Sequence, residues 1–229
     1  MRLTAGACVF DAYGTLLDLA SAIAPCQDVL GEKAQAVGEL WRRRQLEYSW
    51  LRSLMGRHRD FEGLTADALD YALEAHGVAD RAIRDRLLGA YRELRPYPEV
   101  VAVLRTLRKG GLRCLVLSNG TPDMLAAGFE SAGLEELLDG VLSVEQAGLF
   151  KPSPEVYRLA VGQLGLPPGE IVFVSSNGWD AHGAACFGFQ TIWVNRGGVP
   201  PERLPGQLAV TLEDLSGLPA LLGLASPSP

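Results

Sequence analysis

Residues 7–18 read Ala7-Cys8-Val9-Phe10-Asp11-Ala12-Tyr13-Gly14-Thr15-Leu16-Leu17-Asp18. A short apolar run enters a carboxylate and then a glycine-containing turn. A run of this kind reads as a strand buried on both faces, as strands are inside parallel sheets. A carboxylate at the tip of such a strand is expensive to desolvate unless partners stabilise it. The fold and the chemistry both turn on what the rest of the chain brings to Asp11.

The same pattern recurs downstream. Cys114–Leu117, Gly140–Val144, Ile171–Val174 and Thr191–Val194 are further apolar runs closed by small or polar residues. Helical patterns lie between them, near Pro98–Lys109, Pro122–Ala132, Pro154–Leu164 and Trp179–Phe187, and proline or another helix-starting residue opens each of the first three. This alternation predicts an α/β fold with a doubly wound, mostly parallel, Rossmann-like sheet. Reactive groups in that architecture gather at the carboxyl ends of the strands.

Residues from about Leu19 to Arg95 do not follow the alternation. They show helical periodicity alone and are far too many for an ordinary strand-to-helix connection. They read as an all-helical cap subdomain (19–95) inserted into a core of residues 1–18 and 96–229. Its main helix, roughly Gln35–Met55, puts Val37, Trp41, Tyr48, Leu51 and Met55 on one stripe. Arg42, Gln45, Leu46 and Ser49 fall on a different face, turned toward the sheet. The tail from Ala225 reads as a frayed end.

Composition narrows the function classes. With 229 residues, 48% hydrophobic and 21% charged, the chain is that of a soluble globular protein. A net charge of −6 argues against a nucleic-acid or anionic-membrane partner. No apolar run approaches the roughly 20 residues of a membrane helix, and Asp11 inside the first apolar stretch makes a poor signal peptide. Cys8, Cys26, Cys114 and Cys186 form no CxxC pair. A reduced, cytoplasmic protein is expected.

The residues just beyond the strands carry the chemistry. The first strand leads into Asp11-Ala12-Tyr13-Gly14-Thr15, the second into Ser118-Asn119-Gly120, and the fourth into Ser175-Ser176-Asn177-Gly178-Trp179-Asp180. Lys151-Pro152 precedes the helix after the third. A lysine beside Asp11 keeps the carboxylate ionised and able to attack carbon. The turn at Ser118-Asn119-Gly120 offers backbone N–H groups to an anion. Plainer roles compete: Asp11 as a helix cap, Lys151 as an exposed loop residue, Ser118, Ser175 and Asn177 as turn-formers, and Trp179 as core packing. His58, His76 and His182 show neither metal spacing nor a paired acid and read as structural or surface residues.

Five segments together, FDAYGTLLD, WRRRQLEYSWLRSLMGR, LSNGTPDML, KPSPEVY and SSNGWDAHGAACFGF, resemble the haloacid dehalogenase superfamily over nearly the whole chain, and within it the (S)-2-haloacid (L-2-haloacid) dehalogenases. The superfamily's phosphatases carry a second Asp where this chain has Tyr13, and paired acids where it has Ser175, Asn177 and Asp180. Too few hard anionic ligands remain for a good magnesium site, so neither a metal nor another cofactor is expected. The resemblance implies hydrolytic dehalogenation of (S)-2-haloalkanoic acids to (R)-2-hydroxyalkanoic acids through an Asp11 ester. It implies that Lys151 holds Asp11, Thr15 orders the Asp11 loop, and Asp180, arranged by Ser175 and Asn177, activates water. Ser118 and Asn119 would bind the substrate carboxylate. Arg42, Asn119 and Trp179 would receive the halide, Tyr13, Leu46 and Phe61 would wall the alkyl group, and Tyr157 would support the Lys151 region. Periodicity by itself selects Arg44 rather than Arg42. A homodimer is also implied. The competing functions are a phosphatase on the same fold and a non-catalytic relative.

Overall fold

The computed structural model describes residues 3–23 and 27–225; Cys26 and the proposed frayed tail beyond Ala225 lie outside them. The strands are β1 (Ala7–Phe10), β2 (Leu17–Asp18), β3 (Arg95–Pro96), β4 (Arg113–Ser118), β5 (Gly140–Ser143), β6 (Ile171–Ser175), β7 (Gln190–Val194) and β8 (Val210–Leu212). Six of them form one sheet in the order β5-β4-β1-β6-β7-β8, parallel throughout, with Phe10 opposite Val116 and Val174. β1, β4 and β6 are buried along almost their whole length, which is why their sequences are unbroken apolar runs. The expected β-α alternation is present. The sequence does not announce β8, a three-residue, half-exposed edge strand with no buried run to signal it.

The helices are α1 (Ala20–Ile23), α2 (Gln27–Leu30), α3 (Ala34–Met55), α4 (Phe61–Ala75), α5 (Arg81–Ala90), α6 (Val100–Lys109), α7 (Pro122–Ala132), α8 (Pro154–Leu164), α9 (Gly178–Phe187) and α10 (Leu218–Leu221). Proline is the first helical residue of α7 and α8, and Thr121 caps α7 through Met124 N–H. α6 differs from expectation: it begins after Glu99, two residues past Pro98. α1 to α5 lie between Ala20 and Ala90, with α3 packed mainly on α4. The chain enters and leaves this helical segment through β2 and β3, which pair antiparallel.

The expected stripe on α3 holds for only half its length. Val37 and Trp41 are buried and Tyr48 is half-buried, but Leu51 and Met55 are 47% and 66% exposed. The buried face runs instead through Ala34, Val37, Gly38, Trp41, Gln45 and Ser49. Its second half is polar, and each side chain there is hydrogen-bonded, so hydrophobicity marks the wrong face. Among the described residues no helix is long and apolar enough to cross a membrane.

Candidate active site

β1 lies between β4 and β6, so the carboxyl ends of three adjacent strands converge on Asp11. Asp11 is only 6% exposed, and each of its oxygens is engaged. Oδ1 accepts from Lys151 Nζ at 3.1 Å; Oδ2 accepts from Thr15 Oγ1 at 3.0 Å and Asn177 Nδ2 at 2.9 Å. The turn between Asp11 and Thr15 closes because Gly14 takes φ 84°, where a Cβ would also stand 3.0 Å from Ser176 Oγ. Thr15 Oγ1 in turn accepts from Ser176 N–H at 2.8 Å, tying the turn after β1 to that after β6.

Lys151, 1% exposed, also donates to Asp180 Oδ2 at 2.9 Å, so one ammonium bridges two buried carboxylates. Burial alone would pull the Lys151 pKa down. The Asp11 and Asp180 charges outweigh it, and the net shift is upward, so the amine stays protonated. Burial pushes the Asp180 carboxyl up, with Lys151 pulling against it and Asp11 adding to it. A carboxylate raised in this way is a stronger base than an exposed one.

α3 crosses this cluster. Arg42 Nη2 donates to Asn177 Oδ1 at 3.1 Å, and Arg42 and Leu46 line a cavity of about 580 Å³ on one flank. Arg43 is exposed. Arg44 lies elsewhere, stacked 4.3 Å over the Tyr71 ring and bonded to Glu47 and Tyr71. Trp179 packs edge-on against Trp50, 5.4 Å between centroids, beside a second cavity of about 600 Å³. Tyr13 stacks on Phe61 at 6.1 Å, and both are buried. The Tyr13 hydroxyl is buried with no hydrogen-bond partner among the described residues; burial, then Tyr91 and Asp11, push its pKa up and keep it neutral. At the end of β4, Ser118 Oγ accepts from Gly120 N–H at 3.2 Å, and Asn119 Oδ1 accepts from Lys151 N–H at 3.1 Å, leaving the Asn119 Nδ2 end for another acceptor.

Tyr157 meets the Lys151 region through Asp180: its hydroxyl donates to Asp180 Oδ1 at 2.8 Å, with α8 packed on α9. Several expectations need correction. Ser175 and Asn177 do not hold Asp180 with their side chains. Ser175 Oγ accepts from Asn177 N–H, the Asn177 amide serves Asp11, and Asp180 receives only the Asn177 carbonyl on its own N–H. His58 has a paired acid after all, Glu145 at 2.8 Å, supplied from 87 residues away and so invisible to local spacing. His182 is buried, its ring against the carbonyls of Pro205 and Gly206.

Sequence reasoning also missed residues. Ser176 sits inside a segment already singled out. Arg196 follows β7, a strand end the reading passed over; it donates to the Thr15 carbonyl at 2.9 Å, pairs with Glu99 at 2.7 Å and lies 3.6 Å over the Tyr97 ring. Glu145 accepts from Phe61 N–H at 3.2 Å as well as meeting His58, clasping the start of α4 to the core.

A magnesium ion, which phosphatases of this fold use, does not suit this donor set. The ammonium of Lys151 already bridges both carboxylates, and Tyr13 turns toward Phe61 and Tyr91. Among the described residues no three His, Cys, Asp or Glu side chains group so as to hold a metal ion.

The chain is similar to (S)-2-haloacid dehalogenase 1 of Pseudomonas sp. (strain CBS-3), at 46% identity over 94% of this chain and 96% of that one. A crystal structure of a dehalogenase with an intermediate complex superposes with a TM-score of 0.94 at 44% identity, over 97% of this chain and 99% of the other. The L-2-haloacid dehalogenase from Xanthobacter autotrophicus with chloropropionic acid covalently bound superposes with a TM-score of 0.87 at 36% identity, over 96% and 99%. The haloacid dehalogenase-like hydrolases as a family match residues 5–188, and this chain belongs to that family.

Proposed function

We propose that this protein is an (S)-2-haloacid dehalogenase that works through an Asp11 ester without a metal. The observation that carries the proposal is the buried Asp11–Lys151–Asp180 line, in which one ammonium holds the nucleophile in place and meets a second carboxylate that serves as the base. The relatives named above act on, or are described with, substrates of this class.

In the proposed first step an Asp11 oxygen attacks C2 of the haloacid from the side opposite the halogen. The C–O bond forms as the C–X bond breaks; the pair leaves with the halide and C2 inverts. Lys151, Thr15 and Asn177 keep the carboxylate fixed and desolvated, so little reorganisation is needed. Ser118 and the Asn119 N–H take the substrate carboxylate. Arg42, the Asn119 side chain and Trp179 take the halide, while Tyr13, Leu46 and Phe61 wall the alkyl group. In the second step Asp180 takes a proton from water, whose oxygen attacks the Asp11 carboxyl carbon. The acyl C–O bond breaks and the (R)-2-hydroxy acid leaves with a proton. Tyr157 holds Asp180 in this step.

On this reading residues 19–95 are the cap and residues 1–18 with 96–229 the core. The free thiols of Cys8, Cys114 and Cys186 suit a reducing cytoplasm. The exposed Leu51, Leu54 and Met55 on α3 supply an apolar face for a second copy, which sedimentation would register as a homodimer. The deciding experiment is chloride release from each enantiomer of 2-chloropropionate with EDTA present. Turnover of the (S) form alone, with (R)-lactate formed, is expected. Equal rates, retained configuration or a requirement for Mg²⁺ refutes the proposal.

A further inference from the structure

Gln45 has no exposed surface and lies on the same helix as Arg42, and among the described residues its side chain hydrogen-bonds Arg42, Thr65 and Tyr91 rather than Asp11. Burying a primary amide costs free energy, where an apolar side chain of the same size gains it, unless its hydrogen bonds are made. Here they are made in only one orientation. Thr65 Oγ1 lies 2.6 Å from the Phe61 carbonyl, which can only accept, so the single hydroxyl hydrogen points there. The same oxygen lies 2.7 Å from the Gln45 side chain and must therefore accept, which turns Nε2 of Gln45 toward it. Oε1 then faces the other way, 2.6 Å from Arg42 Nη1 and 3.3 Å from the Tyr91 hydroxyl.

A guanidinium only donates, so the order continues without ambiguity. Arg42 Nη2 donates to Asn177 Oδ1 at 3.1 Å, and Asn177 Nδ2 donates to Asp11 Oδ2 at 2.9 Å. Neither amide in this chain can flip without setting donor against donor. We propose that Gln45 is a positioning residue for dehalogenation: with its amide fixed by Thr65 and Tyr91, it grips one edge of the Arg42 guanidinium and aims the other edge at the departing halide. The inference rests on the reading of Arg42 as a halide acceptor. Without Gln45 the long arginine stem has several rotamers to choose from, and only some reach the site. With it, Nη1 is the pivot and Nη2 exchanges Asn177 Oδ1 for the halide.

The test is a double-mutant cycle on the full-length enzyme with Arg42→Ala, Gln45→Met and the pair, read as kcat, KM and chloride inhibition with (S)-2-chloropropionate. Gln45→Met keeps length and apolar packing but removes the acceptor. It is expected to lower kcat by about tenfold or more and weaken chloride inhibition, with KM moving less than about threefold. In the Arg42→Ala background the same change should alter kcat by less than about twofold. A purely structural role would leave chloride inhibition unmoved and act independently of Arg42. A defective Arg42→Ala with a Gln45→Met enzyme at the wild-type rate, or losses that multiply in the pair, overturns the positioning role alone. A wild-type rate for Arg42→Ala overturns the Arg42 reading and this inference together. Should Gln45→Met fail to fold, Thr65→Val leaves Gln45 in place but frees its amide to turn. It is expected to lower kcat and weaken chloride inhibition in the same sense, and wild-type values for both overturn the proposal.

Discussion

Replacing Lys151 by methionine tests the electrostatic core of the site. The ammonium stands 3.1 Å from Asp11 and 2.9 Å from Asp180, with both partners almost fully buried. Each contact carries a gross attraction of about 5 kcal/mol at an effective dielectric near 20. Desolvation offsets much of that in the intact site, but removing the cation leaves two carboxylates with no counter-charge between them. Breaking a buried pair in this way costs about 3–5 kcal/mol. For a chain of this size that lowers Tm by about 10 °C. Methionine can still fill the space beside the Phe173 ring, 5.0 Å from the ammonium, so the loss reports charge more than volume. The pH sign follows. In the variant the Asp180 carboxyl, already raised by burial, loses the cation that pulls it down, so its penalty is felt at neutral pH and lifts as acid protonates it. Melts from about pH 8 to about pH 5 should therefore show the gap to wild type closing. A variant that melts with wild type at neutral pH, or a gap that widens in acid, refutes the bridging ammonium as the source of stability.

Asp11→Asn should fold normally and lose four or more decades of dehalogenation, about 5 kcal/mol or more of barrier; intact-protein mass spectrometry of wild type, quenched during turnover, should show the substrate's carboxyalkyl group added, and the variant none. Arg42→Ala should lower kcat by about 2–4 kcal/mol, whereas Arg43→Ala should be silent and Arg44→Ala should lower Tm with kcat retained, since Arg44 stacks on Tyr71; steady-state rates and melts of the three separate the roles. The proton-accepting step needs Asp180 ionised, and burial raises its pKa, so the acid limb of kcat should fall above the ordinary aspartate value. Lys151 is shifted upward, so no alkaline loss should appear below the usual lysine range, and a limb near neutrality would count against Lys151 as the held cation.

The sequence exposes the parts of the fold that are dry. β1, β4 and β6 are buried on both faces, so their composition alone reveals them, and the residues following them are the ones that meet in space. β8 and the β2–β3 pair are two or three residues long and partly solvated, so no periodicity develops. Polarity hid the rest. Gln45 and Ser49 are buried but hydrophilic, so they lie outside the apolar stripe and only their place on the face turned toward the sheet points to them. Arg42 and Arg44 differ by two positions on a helix and so point to different neighbours, which charge content cannot distinguish. Long-range pairs such as His58 with Glu145, and the bond from Tyr157 to Asp180, depend on how helices pack after the chain has closed.

In the proposed mechanism the line of charges through Lys151 also links the two chemical steps. Asp11 and Asp180 share one cation, and the negative Asp11 is one reason the Asp180 carboxyl holds its proton more tightly than usual. Ester formation moves that negative charge from Asp11 to the halide on the far side of the reacting carbon. Lys151 is then left with Asp180 alone, the like charge beside Asp180 is gone, and its ionised form is favoured more than before at the moment water must be deprotonated. The first step thereby eases the ionisation of the base that the second step needs.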